Sequence, residues 1–178
     1  MKGRIVIRIS VRNMTRAAVF AALICLCSWI SIPVGDIAFT LQTFAVFLAL
    51  GLLGSKWGTV AIILYLLLGA VGMPVFSGFR GGLGILAGVT GGYLWGFLLS
   101  CALFRLFSRF GILPAMIAGQ LICYVCGSLW FSLFSGGGLG LVLLRCVVPF
   151  LIPDAVKLYL AWRLTFRLRK FITTPSGT

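Results

Sequence analysis

Five long apolar runs follow one another along the chain, at about residues 14–32, 38–54, 57–73, 83–104 and 113–134. Each is long, or nearly long, enough for a helix crossing the hydrocarbon core, which takes about 20 residues. Between them stand SIPVGD, GSKWG, MPVFSGFRGG and FSRFGILP, rich in the Gly, Pro and polar residues that punctuate helices. After FSGGG, the stretch LGLVLLRCVVPF (139–150) is too short to span and is closed by Pro149, which suits a re-entrant or interfacial segment. A last helix is expected over about 153–170. Pro153 fits its first position, where a missing N–H costs nothing, and Asp154 follows where the helix dipole favours an anion. The pattern predicts an all-α integral membrane protein of six transmembrane helices, with a short re-entrant or interfacial segment before the last.

Composition strengthens this picture: 61% of the 178 residues are hydrophobic and only 10% charged, with a mean hydropathy of +1.18, far from the soluble average. The formal charge of +13 would suggest nucleic acid in a soluble chain, but the basic residues cluster at the ends of apolar runs. They read as topology and headgroup contacts, and no nucleic-acid partner is expected. With the N-terminus inside, Lys2, Arg4, Arg8, Arg12, Arg16, Lys56, Arg105, Arg109, Arg163, Arg167, Arg169 and Lys170 share the inner side, twelve of fifteen basic residues. Asp36, Arg80, Gly136 to Gly138 and the start of the last helix then face outward. The basic N-terminal segment (1–13) before AAVFAALICLCSWI resembles a signal peptide without its cleavage site, so an uncleaved first transmembrane helix is expected.

Chemistry is limited by what the chain lacks. It has no His, and only two carboxylates, Asp36 and Asp154, far apart in sequence; acid–base hydrolysis and His-ligated metals lose their parts, and neither enzyme activity nor a metal or cofactor is expected. The six cysteines all sit in apolar surroundings, and the CYVC pair is read as packing. GLLGSKWG lacks the Gly-Lys-Ser/Thr ending of a phosphate loop, so energy for active transport would come from elsewhere.

The remaining polar residues are the candidates. An ionised carboxylate in a membrane helix is costly unless paired or facing a wet cavity. Asp154 and Lys157, three apart on one face, read either as a structural ion pair or as a ligand site. Gln42 in FTLQTF is a lone amide that needs a partner if buried. Gly84, Gly88, Gly92 and Gly96 recur every four residues in GGLGILAGVTGGYLWGF, a smooth face for close helix packing or for a ligand groove, and Tyr93 and Trp95 add amphipathic rings. In TRAAVFAAL, Ala17 stands over Ala21 and Ala18 over Ala22, which suits internal packing or docking of another membrane protein.

GMPVFSGFRGGLGILAGVTGGYLWGF, followed by VVPFLIPDAVK, resembles the BioY family, the biotin-binding membrane subunits of energy-coupling factor vitamin transporters. The similarity extends over nearly the whole chain, from TRAAVFAAL and FTLQTF to the last helix. The chain departs from the family in lacking a Gly between Pro153 and Asp154, and in carrying Val89 where Pro is common, which predicts a less kinked fourth helix. The resemblance implies a single substrate-binding transmembrane domain over 1–178 with a short tail at 171–178, in the bacterial cytoplasmic membrane with both termini cytoplasmic. It would capture biotin from outside and pair with a transmembrane coupling subunit and two ATPase subunits. On this resemblance Asp154 accepts ureido N–H bonds, Lys157 and Gln42 satisfy the other polar ends, Tyr93 and Phe76 wall the apolar body, and Thr90 lies near the ligand. PVFSGFRGG forms a lid, Arg80 or Lys157 meets the carboxylate, and Ala17, Ala18, Ala21 and Ala22 form the docking face. A carrier subunit for another vitamin, and an assembly protein that binds no small ligand, are the competing expectations.

Overall fold

The computed structural model describes residues 11–34, 37–136 and 138–173. Lys2, Arg4, Arg8, Asp36, Gly137 and the end of the tail from 174 lie outside the described residues. Helix α1 (Val11–Trp29) leads into a two-stranded antiparallel ribbon, β1 (Ser31–Val34) and β2 (Ile37–Thr40), with Ser31 opposite Thr40 and Val34 opposite Ile37. The long α2 (Gln42–Ala70) follows, then the short α3 (Leu83–Ala87), α4 (Gly91–Phe107), α5 (Ile112–Ser135), the short α6 (Leu139–Cys146) and α7 (Leu151–Thr173). Helices α1, α2, α5, α4 with its 3-10 extension, and the α6–α7 run make five segments long and apolar enough to cross a membrane. Their outward faces carry Leu67, Leu99, Leu121, Leu133 and Leu160, all more than 45% exposed, which is the arrangement lipid demands of a helix bundle.

The ribbon corrects the purely helical expectation. SIPV belongs to the expected break and most of IAFT to the expected start of the second helix, but Ile, Val, Phe and Thr also favour strands, and pairing satisfies their backbone groups. Expectation and structure also differ at α2. Its two arms, residues 42–53 and 55–70, meet at Gly54, whose φ of 75° and ψ of 173° leave the helical region. A straight helix would put residues 50 and 58 about 12 Å apart. Instead, a Cβ on Gly58 would lie 2.8 Å from Leu50 Cα, so the chain doubles back and the arms pack together. The runs at 38–54 and 57–73 are therefore the two arms of one hairpin. Around it α2 packs on α1, α4 and α7, while α4 lies against α5.

The run at 83–104 is broken, not continuous. Between α3 and α4, Gly88 adopts an extended conformation, and its carbonyl accepts a hydrogen bond from Trp130 Nε1 of α5 at 2.9 Å. Trp95 Nε1 similarly reaches Leu86 O at 3.1 Å. Two indoles thus take carbonyls that a continuing helix would use, and the break forms without the family's Pro at Val89. The four-residue glycine stripe is cut with it. Gly92 and Gly96 lie against Trp130 and Cys123 of α5, whereas Gly84 has no neighbour within 4 Å of where its Cβ would be.

The last helix begins at Leu151, so Pro153 is its third residue and Asp154 lies in its first turn; Pro there still removes only an N–H that has no partner within the helix. A non-helical Val147 and a 3-10 turn containing Pro149 separate it from α6. In α1, Ala17 and Ala21 are buried inside the bundle, at 2% and 1% exposure, while Ala18 and Ala22 are exposed. Internal packing therefore takes half of the expected docking face.

Candidate functional site

A cavity lies between the ribbon, the loop after α2 and helices α4, α5 and α7. Gln42, Phe76, Arg80, Thr90, Tyr93, Asp154 and Lys157, the seven candidates from the sequence, all line it.

Its polar end is built around Asp154, which is 5% exposed, as is Lys157. Asp154 Oδ1 lies 2.5 Å from Lys157 Nζ. Oδ2 accepts two hydrogen bonds from α5, from Gln120 Nε2 at 3.0 Å and Tyr124 OH at 2.7 Å. Gln120 and Tyr124 are one helical turn apart and so reach the same oxygen. The Lys157 ammonium also donates to Thr40 O at 2.7 Å and Thr43 Oγ1 at 3.2 Å, and stands 4.0 Å over the Phe39 ring. The ribbon thereby adds its own contacts to the cation. A buried ion pair survives where further hydrogen bonds satisfy both charges, and here four neighbouring groups do so. Neither reading of the pair excludes the other: it is a structural bridge and it faces a cavity.

The apolar wall is equally specified. Gln42 Nε2 donates to Tyr65 OH at 2.9 Å, and Tyr65 meets Phe76 edge-on with ring centroids 5.5 Å apart. Phe76 and Arg80 pair through backbone N–H to carbonyl bonds of 2.9 and 3.4 Å, making PVFSGFRGG a small hairpin over the cavity. Phe79 at its tip has a left-handed φ of 57° and stacks on Trp29 at 5.0 Å. Trp29 Nε1 donates to Pro74 O at 2.8 Å, and Ser28 donates to the Val75 carbonyl, so the end of α1 anchors this loop. Arg80 is exposed, with Nε bonded to Ser77 O at 3.1 Å. Tyr93 donates to Cys146 O at 3.1 Å, tying α4 to the end of α6.

The Tyr93 ring fits only because Gly127 faces it: a Cβ at Gly127 would stand 2.3 Å from Tyr93 Cε1 and Cζ. Gly127→Ala is expected to displace Tyr93 and lower ligand affinity about tenfold, the effect of a few tenths of an ångström to 1 Å at a packed site. Tyr93→Phe, which keeps the ring and loses only the bond to Cys146, should cost less; equilibrium binding of both variants checks the order.

Sequence reasoning missed Gln120 and Tyr124. Gln120 is an amide in the middle of an apolar span, the same signal that singled out Gln42, and GQLICY carries the two polar groups at helical spacing. Thr40, Thr43 and Phe39 were hidden by the unforeseen ribbon. The six cysteines form no disulfide, Cys123 and Cys146 line the cavity, and no group of metal-ligating side chains occurs among the described residues.

Residues 1–174 match the family model described as "BioY family". The chain is 40% identical over 164 residues to the biotin transporter BioY of Thermotoga maritima, covering 89% of this chain and 96% of that protein. It is 36% identical to the probable biotin transporter BioY of Pyrococcus horikoshii, over 82% of this chain and 89% of that one. The fold is similar to the solved S-component for biotin from an ECF-type ABC transporter, with a TM-score of 0.83, 30% identity, and coverage of 90% of this chain and 92% of that one. Matched over nearly its whole length, the chain belongs to the BioY family.

Proposed function

We propose that the protein is the biotin-capturing S-component of an energy-coupling factor transporter, taking up biotin across the cytoplasmic membrane. The observation that carries this reading is one cavity with two unlike ends. Asp154, Gln120, Tyr124 and Lys157 form one bonded polar cluster, while Phe76, Leu94, Phe97 and Phe150 supply apolar lining, with Gln42 held on Tyr65 against Phe76 and Arg80 exposed. Biotin has the matching parts: a ureido ring with N–H donors and a carbonyl, an apolar bicycle and tail, and a carboxylate. The names of the relatives support the same ligand.

Between the two cations, Arg80 is the partner for the carboxylate. The Lys157 ammonium already contacts Asp154, Thr40 and Thr43. Arg80→Ala should therefore weaken biotin binding about tenfold while leaving the affinity for biotin methyl ester, which lacks the charge, nearly unchanged. An equal loss for both ligands would assign Arg80 to shape alone.

Counting the arms of α2 separately gives six crossings, with both termini cytoplasmic by the positive-inside rule. The outward cavity loads, and a transmembrane coupling subunit with two ATPase subunits drives release, since this chain has no phosphate loop. Ala18 and Ala22, exposed on α1 beside Met14 and Val19, form the docking stripe for the coupling subunit. The protein itself is a carrier subunit and not an enzyme.

Purified protein tested with labelled biotin, riboflavin and thiamine separates this from the other readings. Saturable binding of biotin alone is expected. Binding of another vitamin in its place would make the chain a carrier for that ligand, and no binding at all would favour an assembly role.

A further inference from the structure

We infer that Gln120, through its side-chain carbonyl Oε1, is the specificity-determining acceptor for a ureido N–H of the ligand. This rests on the biotin reading above and deepens it. Asp154 Oδ2 already takes two donors, Gln120 Nε2 and Tyr124 OH, which fills the two lone pairs of a carboxylate oxygen. Oδ1 is in ion-pair contact with Lys157, has no hydrogen bond, and is the carboxylate oxygen left for a ligand donor.

A cyclic urea presents two N–H groups that diverge on either side of its carbonyl, so the single available carboxylate oxygen does not serve both. Gln120 supplies the second acceptor. Its residue is 5% exposed, it lines the cavity, and its Oε1 is buried with no hydrogen-bond partner. The orientation of the amide is fixed by chemistry: an ionised carboxylate only accepts, so Nε2 must face Asp154 and Oε1 must point away from it. An unpartnered acceptor in a buried site costs free energy until a donor arrives. Such a group, held by a charge-assisted bond on its other end, discriminates strongly against a ligand that lacks the donor. Within the apolar span of α5, the amide therefore relays between the Lys157–Asp154 pair and the ligand.

The test compares biotin with its two cyclic-carbamate analogues, in each of which a ring oxygen replaces one ureido N–H without adding bulk. Wild-type protein binding labelled biotin is the first arm, and failure there would remove the functional reading itself. With biotin bound, wild-type protein should reject one carbamate by about 30-fold or more. Gln120→Met should lose biotin affinity by a similar factor and bind biotin and that carbamate equally well. Tyr124→Phe, which removes the other donor to Oδ2 and leaves Oε1 in place, should keep the wild-type preference.

A preference that persists in Gln120→Met, with all ligands weakened alike, would make Gln120 a support for Asp154 and overturn the inference. So would wild-type protein that binds both carbamates as tightly as biotin. If Gln120→Met does not run as a folded species on size exclusion, Gln120→Ala, too short to reach the ligand, carries the same expected outcome.

Discussion

Asp154→Asn is expected to lower biotin affinity by at least about 100-fold, and also to lower the thermal midpoint of the detergent-solubilised protein. The affinity loss corresponds to removal of a charge-assisted hydrogen bond, about 2–3 kcal/mol. The stability loss has a separate origin. The amide leaves the Lys157 ammonium, 5% exposed, without a counter-charge. It also turns an N–H₂ either toward that ammonium or toward the donors of Gln120 and Tyr124, which at present converge on Oδ2. Breaking a buried pair by removing one member costs about 3–5 kcal/mol. The double variant Asp154→Asn with Lys157→Met removes the stranded charge, so it should recover most of the stability and none of the binding. If the double variant bound biotin at the wild-type level, the pair would be structural only. Titration and thermal unfolding of the single and double variants provide both readouts.

Gly92→Ala should be among the most destabilising single-methyl changes in the bundle, while Gly84→Ala, eight residues earlier in the same sequence stripe, should be nearly silent. A Cβ at Gly92 would overlap Trp130 Cβ and stand 2.8 Å from Cys126 O. Backbone and Cβ atoms cannot swing aside, so α4 and α5 must separate. Overpacking of this kind costs about 1–3 kcal/mol. It would also shift the Trp130 indole from the Gly88 carbonyl it now meets at 2.9 Å, loosening the break that brings Thr90 to the cavity. At Gly84 nothing lies within 4 Å of the added methyl. Thermal unfolding in detergent should show a drop of several degrees for the first and little for the second. Equal effects would mean that the stripe acts as one continuous packing face.

The contrast between those glycines shows how far the sequence could be read. Spacing of four residues makes a stripe only if the helix is unbroken, and the break at Gly88 comes from indole hydrogen bonds that cross from residues 95 and 130. No local pattern contains them. Similarly, the fold of α2 was visible as two apolar runs, yet only Gly54 and the close approach at Gly58 show that they form a tight hairpin.

Asp154 and Lys157 were legible because charge is rare in this chain and rarity in an apolar run is informative by itself. Gln42 and Tyr93 stood out as a lone amide and an amphipathic ring, Phe76, Arg80 and Thr90 came with the family resemblance, and all five line one cavity. Gln120 was equally conspicuous as an amide in an apolar span, but its significance depends on facing Asp154 across 34 residues of sequence. The ribbon was illegible for another reason. Apolar β-branched residues next to a membrane helix look like its continuation, and the two strands identify themselves only by pairing with each other.

A structure of the protein with biotin bound tests the central claim most directly. One biotin per chain is expected in this cavity, its ureido ring within hydrogen-bond distance of both Asp154 Oδ1 and Gln120 Oε1, and its carboxylate at Arg80. Biotin seated outside the cavity, or inside it with the ureido ring at Arg80 and the carboxylate at Lys157, would contradict it.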